Sequence, residues 1–316
     1  MSTLPSYDDL PEGTSWHVWP GNEVYGTLNL LTPERAVAGA ALVQTGETFP
    51  LNWNMELPGP PLFGREAFQH QVNTGSSSRD DVLQNWNTQS SSQWDGFRHV
   101  FHPTLGNYGG IGDEGHGMHF WARKGIVGRG VLADVARWRA DQGRPLDPSS
   151  PDAIEPSDLD GCLAAQGVTL EVGDVLLVHT GWMRWYVELD DNARATLVSE
   201  LATPGLRPGR ATAAWLWDNH VAAVAADNPA VEVWPAGALL SPEDRATVRD
   251  RPDAIGEFFG HFHFLPMLGI PLGEMFNLPA LADACAADGR YDFMFTSAPL
   301  NLLHGVASPP NALAIR

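Results

Sequence analysis

The chain has 316 residues, 43% of them hydrophobic and 18% charged, which is globular composition with ample material for a core. Its formal net charge of −19 argues against nucleic acid or an anionic membrane as partner, because both need basic patches. No apolar run reaches the ~18 residues of a membrane span, and the opening MSTLPSYDDLPEGTSW lacks the basic and apolar regions of a signal peptide.

A cytoplasmic protein is therefore expected. Its two cysteines, Cys162 and Cys285, cannot form a disulfide framework and suit a reducing compartment. Along the chain, LTPERAVAGAALVQTG predicts a helix with Thr32 as N-cap, Pro33 at the first position and Gly46 as stop. GIVGRGVLAD (125–134) reads as a buried strand. The Pro/Ser-rich stretch 143–158 reads as a surface loop inside one domain, since strand signals recur on both sides of it. A second helix follows in EPSDLDGCLAAQG, with Ser157 as cap, Asp160 completing a capping box and Gly167 as terminator. VLLVHTGW (175–182) is a β-branched run behind the turn VGD, and HVAAVAAD (220–227) is a strand of small residues. Ser241 opens another helix in LSPEDRATVRD, and LPALADACAADG makes one closed near Gly289. YDFMFTSAPL (291–300) is a last strand. Strands apolar on both faces must be covered on both sides. The expected fold class is thus α/β, a mixed sheet or barrel-like core with surrounding helices, in a single domain spanning 1–316.

Three constellations bear on chemistry. Gln89, Gln93, Asp95 and His99 have the spacing Q-x3-Q-x-D-x3-H, which on an extended segment aims all four to one side. Asp is a hard oxygen ligand, a Gln carbonyl is a weak one, and imidazole suits Zn, Mn or Fe. Next, GHFHFLPMLGIPLGEMFNL holds His261 and His263, with Glu274 eleven to thirteen residues later; His plus Glu is a metal-ligand pairing. Third, Asp227, Asn228 and Glu232 follow a buried strand, where α/β folds carry sites, although Asp227 and Asn228 equally suit an Asx turn before Pro229. His116 and His119 have no third ligand and are candidates to line the pocket, and His179 reads as structural. Nucleophile-elbow, P-loop and dinucleotide-binding signatures are missing.

Taken together, YGTLNLLTPERA, QWDGFRHVFH, RKGIVGRGVLAD, VGDVLLVHTGW, AADNPAVEVWP, LGIPLGEMFNLPALADAC and APLNLLHGVASPPNALAI make the chain resemble the cyclase family of metal-dependent hydrolases, which includes kynurenine formamidase and isatin hydrolase. The resemblance implies a barrel-like fold, a homo-dimer or homo-tetramer, and one divalent ion, Mn or Zn. The family motif is H-x-G-T-H-x-D-x-P-x-H. Aligning its Asp on Asp95 puts the proton-moving His on His99 and the two upstream ligand His on Gln89 and Gln93. Glu274 matches the later Glu. His261 is favoured for the later His, with His263 kept open. The implied metal set is Gln89, Gln93, Asp95, His261 or His263, and Glu274. The implied catalytic groups are His99, Asp95 and Glu274, and Trp94, Phe97, Phe101, His102 and Trp121 are candidates to bind substrate. The substrate would be a small cyclic or aryl amide, imide or lactone. The two Gln leave two alternatives open: a metal-free cyclase or lyase on the same scaffold, and a non-catalytic small-molecule binder.

Overall fold

A computed structural model describes residues 4–248, 251 and 254–316. Thirteen strands form among them: β1 Thr48–Pro50, β2 Gln69–Thr74, β3 Arg79–Gln84, β4 Gln93–Asp95, β5 Ile126–Ala133, β6 Ala153–Ile154, β7 Val175–Val178, β8 Gly205–Leu206, β9 Ala223–Ala226, β10 Leu272–Glu274, β11 Asp292–Ser297, β12 Ala307–Ser308 and β13 Ala312–Ile315. Nine of them make one sheet in the order β1-β13-β11-β5-β7-β9-β10-β4-β12, curled into a half-barrel with helices around it. The α/β class is therefore as expected.

The four central strands, β5, β7, β9 and β10, run parallel, and the flanking pairs are antiparallel. β7 and β9 are buried at every residue, which is why their sequences show no polar alternation. The four strands expected from sequence all form, each shorter than predicted, β7 at its C-terminal end alone. The isolated hairpin β2–β3 is exposed along both strands and lies outside the main sheet.

The helix Pro33–Ala40 starts after Thr32 as expected but ends six residues before Gly46, and Thr32 makes no side-chain cap bond. The helix Pro156–Gln166 is capped by Glu155 and Asp158, not by Ser157 and Asp160. Pro156 takes the first helical position, where its missing N–H costs nothing, and this moves the cap back to Glu155. Ser241 does cap the helix Pro242–Thr247, accepting from the Asp244 N–H at 3.0 Å; residues 249 and 250 of that predicted helix lie outside the described residues. The helix Pro279–Asp288 ends on Gly289 in the left-handed conformation, as a glycine stop should.

Helix and sheet approach closely where Gly39 lies on β5. A Cβ at Gly39 would come within 2.4 Å of the Gly128 carbonyl oxygen. Gly39→Ala is therefore expected to cost about 1–3 kcal/mol, read as a lower denaturation midpoint; an unchanged midpoint would show that the helix lifts off freely. Both cysteines are buried, and burial pushes the Cys285 thiol up to about 12 and Cys162 higher still, so neither is a ready nucleophile. Among the described residues no helix is long and apolar enough to cross a membrane.

Candidate active site

The site forms where β4 pairs with β10. The antiparallel register sets Gln93 opposite Glu274 and Asp95 opposite Leu272. Directly opposed residues share a face, and so do residues two apart on one strand. Gln93, Asp95 and Glu274 therefore point to the same side. Trp94 points to the other side, where it is fully buried against Phe276 and Phe295 and donates its indole N–H to Ser297.

Past Asp95 the chain turns sharply at Gly96. Its N–H bonds to the Val306 carbonyl, and a Cβ there would lie 2.7 Å from that same oxygen and 2.6 Å from Met118. The turn closes with the His99 N–H on the Gly96 carbonyl at 2.9 Å. This brings His99 Nε2 back to 4.0 Å from Asp95 Oδ1. His261 arrives from the opposite side, on the helical turn before a π-helical segment over His263–Met267. Its Nε2 lies 3.4 Å from Glu274 Oε1 and 3.9 Å from Asp95 Oδ2. One atom each from Asp95, His99 and His261 lie within 4.8 Å of one another, a possible metal-ligating triad.

Three buried carboxylates, Asp95, Glu232 and Glu274, surround the His261 ring. Burial opposes charge on His261, but hydrogen bonds to Glu232 and Glu274 outweigh it and hold its pKa well above the usual imidazole range. Burial, and then the charge of Asp95, push Glu274 up. His99 moves the other way: burial lowers it, with Asp95 only partly offsetting, so it is neutral and able to accept a proton at neutral pH. The corner thus gathers three carboxylates around one imidazolium, His261, and leaves negative charge in excess. That is a setting for a cation.

The two glutamines take an unexpected part. Gln89 turns its amide nitrogen, not its carbonyl, inward, donating to Asp95 Oδ1 at 2.8 Å and lying 3.0 Å from His99 Nδ1. Gln93 likewise donates to Glu274, with Asp95 Oδ2 at 3.5 Å. Gln93 Oε1 is buried without a hydrogen-bond partner. In this arrangement the glutamines are hydrogen-bond donors to the ligand carboxylates, whereas the sequence reading cast them as oxygen ligands. The remaining donor set fits a divalent ion: Asp95 and Glu274 offer carboxylate oxygens, His261 offers Nε2, and Gln93 Oε1 is buried and unpartnered.

The structure does not bring His263 to this corner. It stands two residues past His261 on helical turns, about 200° around the axis, and a Cβ on Gly256 would touch its ring. On a strand the alternating HFH would have kept the two imidazoles together. Phe97 and Trp121 are core rather than wall: Phe97 packs on Tyr108 and Trp121 at 4.9 and 5.1 Å, and Trp121 donates to the Val24 carbonyl. His102 sits in a turn, its Nδ1 accepting from the Thr104 and Leu105 N–H groups. Phe101 is 62% exposed. Asp227 accepts from the backbone and hydroxyl of Thr180, and Asn228 donates to the Pro204 carbonyl, so both fasten strand ends. His179 bonds Asp134, and His116 bonds the Tyr108 carbonyl.

Two contributors had no sequence signal. Arg65, in a loop, donates to the backbone carbonyl of Gln89 and so holds that stretch of chain in place. Phe259 stacks on His261 at 4.2 Å and 6°. Glu232 was visible as a residue after a strand, but its contact with His261 depends on long-range folding.

The family model described as "Putative cyclase" matches residues 23–233. A crystal structure of a novel cyclase is 29% identical, covering 97% of this chain and 99% of that one, with a TM-score of 0.81. Isatin hydrolase A from Labrenzia aggregata, bound to benzyl benzoate, is 14% identical over 89% of this chain and 97% of that one, with a TM-score of 0.57. Isatin hydrolase A from Ralstonia solanacearum is 15% identical over 85% and 92%, with a TM-score of 0.56. At those identities the two hydrolases show a shared fold. No curated protein matches the chain.

Proposed function

The chain belongs to the cyclase family, and from that premise we propose that it is a hydrolase of a small cyclic or aryl amide, imide or lactone. The observation that carries this reading is the corner of Asp95, His261 and Glu274 with His99 at its edge. Asp95, His261 and Glu274 would hold one divalent cation, Mn²⁺ or Zn²⁺, with Gln93 Oε1 free to join them. Such an ion would supply an acidified water and polarise a carbonyl oxygen.

The chain's own residues do the rest. His99 is assigned as the proton carrier rather than a third ligand. Its side chain is 26% exposed while that of His261 is 2% exposed, so it can meet an incoming substrate. Neutral, it takes a proton from the attacking water and returns it to the leaving nitrogen or oxygen. The Gln89 amide nitrogen, a donor only, lies 3.0 Å from His99 Nδ1 and orients the ring; for Nε2 to take up the proton, Nδ1 must carry the ring hydrogen and swing away from this amide.

A second reading rests on the glutamine amides. Their N–H groups already occupy carboxylate lone pairs that an ion would use, which supports metal-free acid–base chemistry on the same scaffold. Chelation separates the two. The expected result is that the purified protein carries about one equivalent of metal, loses turnover of amides, imides or lactones after chelation, and regains it with Mn²⁺ or Zn²⁺. If metal-stripped protein turns over as fast as the untreated form, the metal reading is wrong.

A further inference from the structure

We propose that Glu232 is a positioning residue, which sets the tautomer and aim of His261; the metal part of the argument rests on the function proposed above. Glu232 is fully buried. Its Oε1 accepts from the His261 N–H at 2.9 Å and from His261 Nδ1, and its Oε2 accepts from the Gly260 N–H. Three donors from two adjacent residues thus converge on one carboxylate. Among the described residues, His261 is the only basic group within ion-pair distance of it, so Glu232 is not part of a structural salt-bridge network.

The consequence for the ring follows from valence. A nitrogen held against a carboxylate must carry the proton. Nδ1 is therefore an N–H position in every state of the ring, and Nε2, facing Glu274 and Asp95, is the nitrogen that gives up its proton when the ring becomes neutral or takes an ion. An outer carboxylate used this way fixes ring orientation and raises the basicity of the inner nitrogen. Phe259, stacked on the face of the ring, restrains its remaining rotation.

The backbone is shaped to permit this contact. Val231, immediately before Glu232, has φ 59° and is fully buried, a conformation a β-branched residue rarely adopts. Strained residues of this kind gather at functional sites. On the other side, a Cβ at Gly260 would sit 2.5 Å from Glu232 Oε2 and 2.7 Å from Phe264, so glycine is required for the carboxylate to come this close. Both features carry a local cost, and the glycine serves the Glu232–His261 contact directly.

The test reads the nitrogen directly. Two-bond ¹H–¹⁵N correlation spectra of histidine-labelled protein should show His261 Nδ1 protonated, with and without added Zn²⁺. In Glu232→Gln, three N–H donors face a single amide oxygen, so the fixed Nδ1–H signature should be lost. Zn²⁺ affinity should fall by about 10- to 100-fold, measured well below the unfolding temperature. Glu232→Asp keeps the charge and should recover part of both. A bare Nδ1 on His261 in the wild-type protein overturns the proposal, and so does Glu232→Gln with tautomer and affinity unchanged. If Glu232→Gln does not fold, the wild-type spectrum alone decides. If the wild-type protein binds no Zn²⁺, the function proposed above fails while the tautomer result still stands or falls by itself.

Discussion

His99→Ala is expected to lower kcat by on the order of 10²- to 10⁴-fold, the range for losing a positioned acid–base group, while Zn²⁺ affinity changes little. The two readouts together distinguish the roles open to this residue. His99 lies in the triad with Asp95 and His261, so geometry alone would allow it to be a ligand. A ligand would lose affinity and turnover together; a proton carrier loses turnover alone. Its environment favours the second. Burial keeps it neutral, the Gln89 amide nitrogen 3.0 Å from Nδ1 orients the ring, and its edge is accessible. Exogenous imidazole should restore part of the activity of His99→Ala, since the cavity left is the size of the rescuing ring. A kcat within about threefold of wild type would remove His99 from the mechanism.

What could be read from the sequence divides along a physical line. β5, β7, β9 and β11 were legible because burial dictates their composition: β7 and β9 are apolar at every position. β4 was legible only through the Q-x3-Q-x-D-x3-H spacing, which supposed an extended segment over 89–99; the strand covers Gln93–Asp95 alone, and Gln89 and His99 reach the site from turns on either side. Three residues, Gln93, Trp94 and Asp95, have no periodicity to detect, and only pairing with β10 and β12 makes them a strand. The same alternation that aims Gln93 and Asp95 into the site sends Trp94 into the core, which is why aromatic content near a site residue misidentified the pocket wall. The exposed hairpin β2–β3 is rich in Gln, Asn and Asp, a composition that reads as loop.

The site itself was half legible. Asp95, His99, His261 and Glu274 meet as the motif order implied. The choice between His261 and His263 needed the local backbone, because a strand places both on one face and a helix separates them. The sense of the glutamine amides was beyond reach. Gln offers an acceptor and two donors at nearly the same place, and only the neighbouring carboxylates decide which end faces inward. The sequence reading treated them as weak substitutes for imidazole; surrounded by Asp95 and Glu274 they donate instead.

That arrangement makes Asp95→Asn the most informative single change at the metal corner, because its effects on stability and on function should have opposite signs. Asp95 is fully buried and raises the pKa of Glu274 by like-charge repulsion. Replacing it with the isosteric amide removes one negative charge from a desolvated cluster, while Asn Oδ1 can still accept from Gln89. Without metal the variant should therefore be more stable than wild type, by about 0.5–2 kcal/mol, as when a functionally imposed cost is relieved. With metal the order should reverse. For the wild type, an ion at 100 times its Kd adds about 2.7 kcal/mol of stability. A variant binding a hundredfold more weakly gains only about 0.4 kcal/mol at the same concentration. Thermal unfolding with chelator and with Mn²⁺ or Zn²⁺ measures both quantities in one experiment, and needs no knowledge of the substrate. A variant less stable than wild type without metal would mean that the glutamine N–H groups and His261 already balance the carboxylates, which is the metal-free arrangement. A variant stabilised by metal as much as wild type would show that the ion, if one binds, sits away from Asp95.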